Sequence, residues 1–139
     1  LLSFAYSLLA SDCAAALEGA GLDPYVGFLH RARPGRRSLA LDLMEELRTV
    51  LADRFVLSCI NQKVLHAKHF EKQENGAILL TEEGRRAFLN AWQQKKREVI
   101  THPFLKEKLC WGLVPYVQAL LLARTLRGDL EVYPPFFWK

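Results

Sequence analysis

Apolar residues recur every three or four positions along most of the chain, which is the spacing of an amphipathic helix. Residues 1–17 follow this pattern and stop just before Gly19 and Gly21, as expected at a helix C-terminus. A second helix is predicted over residues 38–48, and a third from residue 50 toward His66. The pattern therefore predicts a mainly α fold.

The helical pattern is interrupted between His69 and Thr81. Asn75-Gly76 lies there between short apolar runs, which predicts a small β-hairpin near residues 70–80. Thr81 is suited to cap a helix that runs through residue 100. A long helix is predicted over residues 101–127, with Pro103 in its first turn and Pro115 kinking its middle.

Gly128 ends this last helix in the prediction, and residues 129–139 are expected to form an extended tail because consecutive prolines cannot continue a helix. The division is thus a helical domain over residues 1–128 and a tail over residues 129–139. A chain of 139 residues, half of them apolar, suffices for one core and argues against two domains.

Composition narrows the class of protein. The net charge of +4 permits binding to a polyanion without requiring it. Three cysteines without a C-x-x-C spacing argue against a disulfide framework or a structural zinc site. The apolar run over residues 113–123 is interrupted by Pro115 and Gln118 and is shorter than the ~20 residues that span a bilayer. No membrane association is expected.

Residues 27–48 contain an imidazole, a basic turn and three acids in quick succession. If Ser38 caps a helix, Asp42, Glu45 and Glu46 project from one face of it, and leucines line another face. Acids beside His30 suggest a divalent metal, and carboxylate with imidazole fits Mg²⁺ or Mn²⁺. The guanidinium groups of the turn suggest phosphate binding. They belong to Arg31, Arg33, Arg36 and Arg37.

These residues carry a resemblance to a known family. The run "LDPYVGFLHRARPGRRSLALDLMEELR", with "LLSFAYSLL" before it and "DRFVLSCIN" after it, resembles the helical domain of the CRISPR-associated integrase family, the metal-dependent nuclease of spacer acquisition. The match includes the histidine of "GFLH", the Pro-Gly turn, the "ALDLMEE" helix and the closing "YPPFFWK". Within that family the tail looks most like subtype I-C.

The resemblance implies a cytoplasmic prokaryotic enzyme that inserts short DNA fragments into the repeat array. His30 and Glu45 would be metal ligands for Mg²⁺ or Mn²⁺, and Asp42 a supporting catalytic acid. Some family members have aspartate where Glu45 stands. The implied partners are double-stranded prespacer and repeat DNA, a second copy in a homodimer, and a small ferredoxin-like adaptation subunit.

Full-length family members have a β-rich domain ahead of "LLSFAYSLL" and a further glutamate ligand there. No residue of this chain corresponds to that glutamate, so the resemblance implies an N-terminally truncated catalytic domain that is inactive in isolation. Two alternatives stay open: a catalytically inactive DNA-binding or scaffold module, and an unrelated helical interaction domain.

Other features have simpler explanations. Glu46 is expected to pair with Arg48 or another surface base. The pair His66 and His69 lacks the further ligands of a zinc site. Residues 93–97 are expected to form a solvated face, with DNA contact as the lesser alternative. The remaining large aromatic residues are assigned to the core or a subunit interface. They are Phe88, Trp92, Trp111 and Tyr116.

The tail aromatics are expected to dock onto the partner subunit, because an extended proline-containing segment is a poor core element. In the competing view they pack back onto their own helices. The residues concerned are Tyr133, Phe136, Phe137 and Trp138.

Overall fold

The computed structural model describes residues 1–22 and 38–136, with Ser38 described in its backbone alone. Within these ranges the chain is mostly helical, which confirms the predicted fold class. The α-helices are α1 (Leu2–Gly19), α2 (Ser38–Leu47), α3 (Arg54–Asn61), α4 (Glu82–Arg97) and α5 (Val114–Leu126).

Short elements connect these helices. A π-helix, Arg48–Asp53, joins α2 to α3, and single 3₁₀ turns lie at Ala67–His69 and Trp111–Leu113. Strands β1 (Phe70–Lys72) and β2 (Ile78–Leu80) form one antiparallel hairpin, and β3 (Val99–Thr101) and β4 (Lys108–Cys110) form another. No helix in the described part of the chain is long and apolar enough to cross a membrane.

The core lies where α1 packs against α2, α5 and the π-helix, and where α4 packs against α3. Phe88 and Trp92 of α4 are buried, and the ring of Phe55 contacts both edge-on with centroids 5.0 Å away. Trp111 is also buried, so three of the four assigned aromatics belong to the core. The fourth, Tyr116, is exposed.

Two helix ends follow the glycine signal. At α1 the Leu22 N–H bonds to the Leu17 carbonyl and the Gly21 N–H to the Glu18 carbonyl, with Gly21 at φ +82°. The end of α5 repeats this pairing, with Gly128 at φ +86°. These are Schellman motifs, in which glycine enters the left-handed region without steric cost. The predicted ends are confirmed.

The first hairpin and the following helix start are also confirmed. β1 pairs with β2 in the register Phe70 with Leu80, across a turn that contains Gly76 at φ +87°. The Thr81 hydroxyl then accepts the Gly84 N–H at 3.0 Å, which caps α4.

The predicted helix over residues 101–127 is wrong in its first half. Residues 99–110 form the second hairpin, and α5 begins at Val114. Pro103 lies in the hairpin turn, where the His102 ring nitrogen Nδ1 accepts the N–H groups of Phe104 and Leu105 at 3.1 Å. This side chain satisfies the turn's amides and so competes with a helix. Pro115 starts α5 instead of kinking it.

The third predicted helix is also too long. α3 ends at Asn61, and a Schellman motif follows in which Lys63 takes the left-handed position at φ 55°. A lysine gives no sequence signal for this motif, since glycine is the usual residue there. The helix after Thr81 likewise ends at Arg97, before the β-branched run Val99–Thr101 starts a strand.

Candidate functional site

The acids of α2 lie beside one cavity, as the i, i+3, i+4 spacing predicts. Leu39, Leu43 and Leu47 are buried and fix α2 in the core. Asp42, Glu45 and Glu46 are among the residues that line a mostly apolar cavity of about 570 Å³. The opposite wall is formed by α5 and the C-terminal segment. It consists of Leu122, Thr125, Leu126, Tyr133 and Pro135.

Glu45 is the exposed member of this set. Its Oε1 lies 3.4 Å from Arg48 Nη1, and the Arg48 guanidinium lies 5.8 Å from the centroid of the Tyr6 ring. The Tyr6 hydroxyl donates to Asp53 at 2.5 Å, and this hydrogen bond raises the pKa of Tyr6. The pair between Glu45 and Arg48 is solvent-exposed and therefore weak. Glu45 can exchange this partner for a cation.

Asp42 is almost fully buried, at 7% exposure, one helical turn before Glu45 and Glu46. A buried carboxylate at the cavity wall and an exposed one a turn later give two oxygen donors on one helix face. Mg²⁺ is commonly held by one or two carboxylates together with water and substrate phosphates. Glu45 and Asp42 are therefore candidate donors of the type that such an ion takes, and no group of three His, Cys, Asp or Glu residues in the described ranges could hold a metal alone.

Glu46 contradicts the expectation of a surface ion pair with Arg48. Its carboxylate accepts the Tyr133 hydroxyl at 2.8 and 2.9 Å, the Phe136 N–H at 3.0 Å and the Gln118 amide at 3.3 Å. Burial raises the pKa of Glu46, and these hydrogen bonds oppose that rise. The expectation was wrong because the residues that cover Glu46 lie 72 to 90 positions later in the chain.

Two further buried polar residues belong to this arrangement. Gln118 and His102 are fully buried, and His102 Nε2 lies 2.7 Å from Gln118 Oε1. Sequence reasoning did not assign either residue to the site. A signal existed for Gln118, because a lone amide within an apolar helix must find a partner. Nothing comparable marks His102 among the residues around it.

The tail aromatics in the described range contact their own chain. Phe136 is buried, with its ring 5.4 Å from His102 and 5.7 Å from Trp111 between centroids. The Tyr133 hydroxyl is bonded to Glu46, and burial raises the pKa of Tyr133. For these two residues the contacts favour the competing view, in which the tail packs back onto its helices. Docking of the tail onto a partner stays a prediction.

The remaining predicted site residues lie outside the described residues. The candidate imidazole ligand His30 is one of them, and the arginines of the basic turn and the last tail aromatics are the others. The arginines are Arg31, Arg33, Arg36 and Arg37, and the tail aromatics are Phe137 and Trp138.

Two weaker motifs have structural roles. His69 is buried, accepts the His66 N–H on Nδ1 at 2.9 Å, and lies 3.7 Å from a Glu83 oxygen through Nε2. On α4, Lys95 pairs with Glu98 at 3.0 Å and Lys96 with Asp12 at 3.2 Å. Both lysines therefore already have acidic partners within the chain.

Comparison with known proteins identifies relatives over the full chain. The family model "CRISPR associated protein Cas1" matches residues 1–94. The CRISPR-associated endonuclease Cas1 2 of Rhodospirillum rubrum is 61% identical over all 139 residues, and the Cas1 1 of Chlorobaculum tepidum is 52% identical. The chain spans 40% of the length of each of these two relatives.

Solved structures share the fold. A casposase bound to its integration product matches 99% of this chain and 40% of its own, with a TM-score of 0.84 and 30% identity. A partial Cas6-RT-Cas1–Cas2 complex matches all of this chain and 41% of its own, with a TM-score of 0.77 and 27% identity.

Proposed function

The chain belongs to the Cas1 family, and on that premise we propose that the intact protein is a metal-dependent DNA endonuclease and integrase of CRISPR spacer acquisition. The observation that supports this most is the α2 face, where Asp42 and Glu45, both within the family-matched residues 1–94, border one cavity. The relatives named endonuclease support the nuclease activity, and the casposase with its integration product supports the joining reaction.

In this proposal His30 and Glu45 hold Mg²⁺ or Mn²⁺, and Asp42 assists from the cavity wall. Bound there, the ion would polarise a phosphoryl oxygen and lower the pKa of the attacking hydroxyl or water. To act as a ligand, Glu45 would give up its ion pair with Arg48 and bind the ion instead. Asp42, buried on α2, places a second carboxyl group within one helical turn of Glu45.

The reaction is a transesterification. The 3′-hydroxyl of the incoming DNA loses its proton, and its oxygen forms a bond to a phosphorus of the repeat. The bond between that phosphorus and the 3′-oxygen of the repeat strand breaks, and the departing 3′-oxygen takes up a proton. Water in place of the 3′-hydroxyl gives strand cleavage instead. Positioned acids and a cation suffice for both reactions, because the enzyme's task is to orient the oxygens and stabilise charge on the phosphoryl group.

The proposed substrates and partners are those that the sequence implies. Arginines of the basic turn would contact the phosphates of prespacer and repeat DNA without reading sequence. The protein would act in the prokaryotic cytoplasm as a homodimer with a small ferredoxin-like subunit, and the Cas1–Cas2 complex among the fold neighbours supports a partner of this kind. Assignment to subtype I-C also stays a proposal, supported by the tail sequence.

The alternative is a catalytically inactive DNA-binding or scaffold module. It would keep the same helices and basic faces without metal chemistry. The two proposals differ in metal-dependent chemistry and agree in DNA binding.

Single-ligand variants of the intact parent protein separate them. His30→Ala or Glu45→Ala should remove Mn²⁺-dependent cleavage and integration while leaving the melting temperature close to that of the wild type. Glu74→Ala, which removes an exposed acid from the first hairpin turn, is the matched control and should keep full activity. Wild-type turnover in either ligand variant would reject the site, and inactivity of the wild type with every divalent metal would favour the scaffold.

A further inference from the structure

A chain of buried and partly buried polar groups joins the helix of the candidate metal acids to the C-terminal segment. It runs from His102 in the second hairpin turn, through Gln118 of α5, to Glu46 of α2 and Tyr133 beyond α5. The mechanism proposed above uses none of these four side chains. All buried side-chain nitrogen and oxygen atoms in the described ranges have a hydrogen-bond partner, so the chain of contacts is complete.

The His102 end of this chain of polar groups fixes the direction of its hydrogen bonds. His102 Nδ1 accepts two backbone N–H groups, so the ring proton must sit on Nε2 and be donated to Gln118 Oε1. The Gln118 amide nitrogen then has to face the opposite way. It lies 2.7 Å from the Tyr133 hydroxyl, 3.2 Å from the Pro134 carbonyl and 3.3 Å from Glu46. The Gln118 amide donates toward these three acceptors, while the Tyr133 hydroxyl and the Phe136 N–H donate to the Glu46 carboxylate.

The same contacts hold the C-terminal segment across α2. The Phe136 N–H donates to Glu46, and the buried Phe136 ring anchors the segment against Trp111 and His102. Tyr133 and Pro135 form part of the cavity wall that faces Asp42 and Glu45. Residues 133–136 thus form a strap that fastens the α2 carboxylates in place through Glu46.

We propose that Glu46, Gln118 and Tyr133 are positioning residues for the metal site. They hold α2 so that Glu45 and Asp42 present their carboxylates to the metal in one arrangement. This inference rests on the proposed function, because it assumes that these two acids act on a bound cation. The C-terminal strap is then part of the catalytic apparatus, and metal affinity depends on residues that never contact the metal.

The test uses Tyr133→Phe and Glu46→Gln in the intact parent protein. Tyr133→Phe removes one donor to Glu46 and keeps the ring, so the fold should survive. Mn²⁺ affinity, measured by calorimetry, should weaken by about 5- to 50-fold, a range set by the usual effect of losing groups that orient metal ligands. Saturating Mn²⁺ should restore turnover. Without metal, amide hydrogens of α2 should exchange faster than in the wild type.

Thr81→Ala is the control, because it removes the α4 cap hydrogen bond and lowers the melting temperature without touching the strap. It should leave Mn²⁺ affinity unchanged. If both strap variants lower only the melting temperature, as this control does, the positioning role is overturned. Glu45→Ala serves as the reference: intact Mn²⁺ binding there rejects the proposed site itself. If Glu45→Ala weakens Mn²⁺ binding but the two strap variants do not, the metal site stands and only the positioning role of the strap is rejected.

Discussion

Glu45 and Glu46 are neighbours in sequence and have opposite surroundings. Glu45 is exposed and shares a weak ion pair with Arg48. Glu46 is covered by Tyr133 and accepts hydrogen bonds from three residues. A cation can reach the first without disturbing the fold, whereas removing the second would leave several buried donors unpaired. Under the proposed function, the two adjacent acids therefore divide the tasks of cation binding and support.

The three cysteines should differ in reactivity according to their burial. Burial raises the pKa of Cys59 to about 11 and also raises the pKa of Cys13 well above its ordinary value. At pH 8 roughly 0.1% of Cys59 would be the reactive thiolate. Half-buried Cys110 should therefore take up iodoacetamide first, with Cys13 and Cys59 labelled only after denaturation. Peptide mapping by mass spectrometry measures this order, and equal native labelling of all three would contradict the packing.

The basic turn should contact DNA through phosphate. Neutralising Arg33, Arg36 and Arg37 together should weaken binding about equally for unrelated sequences. It should also flatten the plot of log affinity against log salt by up to ~0.9 per lost contact on duplex DNA. Titrations of the parent protein at several salt concentrations measure both effects.

A control with the same change in net charge removes three surface bases that already pair with acids. Lys68 lies 3.5 Å from Glu83, Arg86 3.7 Å from Glu82, and Arg127 3.2 Å from Asp129. Their joint replacement by glutamine should change the salt slope much less. An equal slope change in both triple variants would mean that overall charge, not the turn, drives binding.

The sequence predicted the shared helix face of the candidate acids and missed the contacts that cover Glu46. Helical spacing is a local property, so the shared face of Asp42, Glu45 and Glu46 follows from α2 alone. The fate of Glu46 depends on Tyr133, which is 87 positions away. No local pattern reports such a contact, and only a lone polar residue such as Gln118 hints at a buried partner.

Among the helices, α4 makes an unusually close contact with the 3₁₀ turn Ala67–His69. A Cβ atom on Gly84 would lie 2.6 Å from the His69 carbonyl oxygen and 2.8 Å from the His69 Cβ. The carbonyl belongs to the backbone and also accepts the Thr81 N–H, so it cannot easily move. The glycine is required here for space and not for its backbone angles.

Gly84→Ala should therefore destabilise the protein by about 1–3 kcal/mol, the usual cost of overpacking. Gly19→Ala is the matched control at the end of α1. Its Cβ would meet only the Tyr116 ring at 3.4 Å, and alanine is favoured in helices by up to ~1 kcal/mol. Denaturant unfolding of the two variants compares them. A stable Gly84→Ala variant would show that the turn can yield.

Element prediction succeeded where a helix end or hairpin has a residue-level signal. Gly21, Gly128 and Thr81 each supply one, and Asn75-Gly76 supplies the first hairpin. It failed at Lys63, which occupies a position usually held by glycine, and at residues 99–110. In residues 99–110 the apolar positions are spaced in a way that is compatible with a helix. The β-branched residues Val99–Thr101 and the His102 turn decided for a hairpin.

At the scale of the whole molecule, the proposed integrase activity rests on the family assignment and on the acidic face of α2. The chain spans 40% of the length of each of the two relatives, so the proposed activity is assigned to the intact parent protein. Nuclease activity alone would not distinguish an integrase from an unrelated hydrolase. The distinguishing step is the use of a DNA 3′-hydroxyl as the nucleophile.

The decisive measurement is an integration assay. The parent protein, its small partner subunit and Mn²⁺ are mixed with labelled duplex DNA and a plasmid that carries the repeat. One sample of the duplex ends in 3′-hydroxyls and the other in 3′-deoxy termini. The account predicts that label joins the plasmid only in the first sample, and that Glu45→Ala abolishes the joining. Equal labelling from both samples, or full joining by Glu45→Ala, would contradict it.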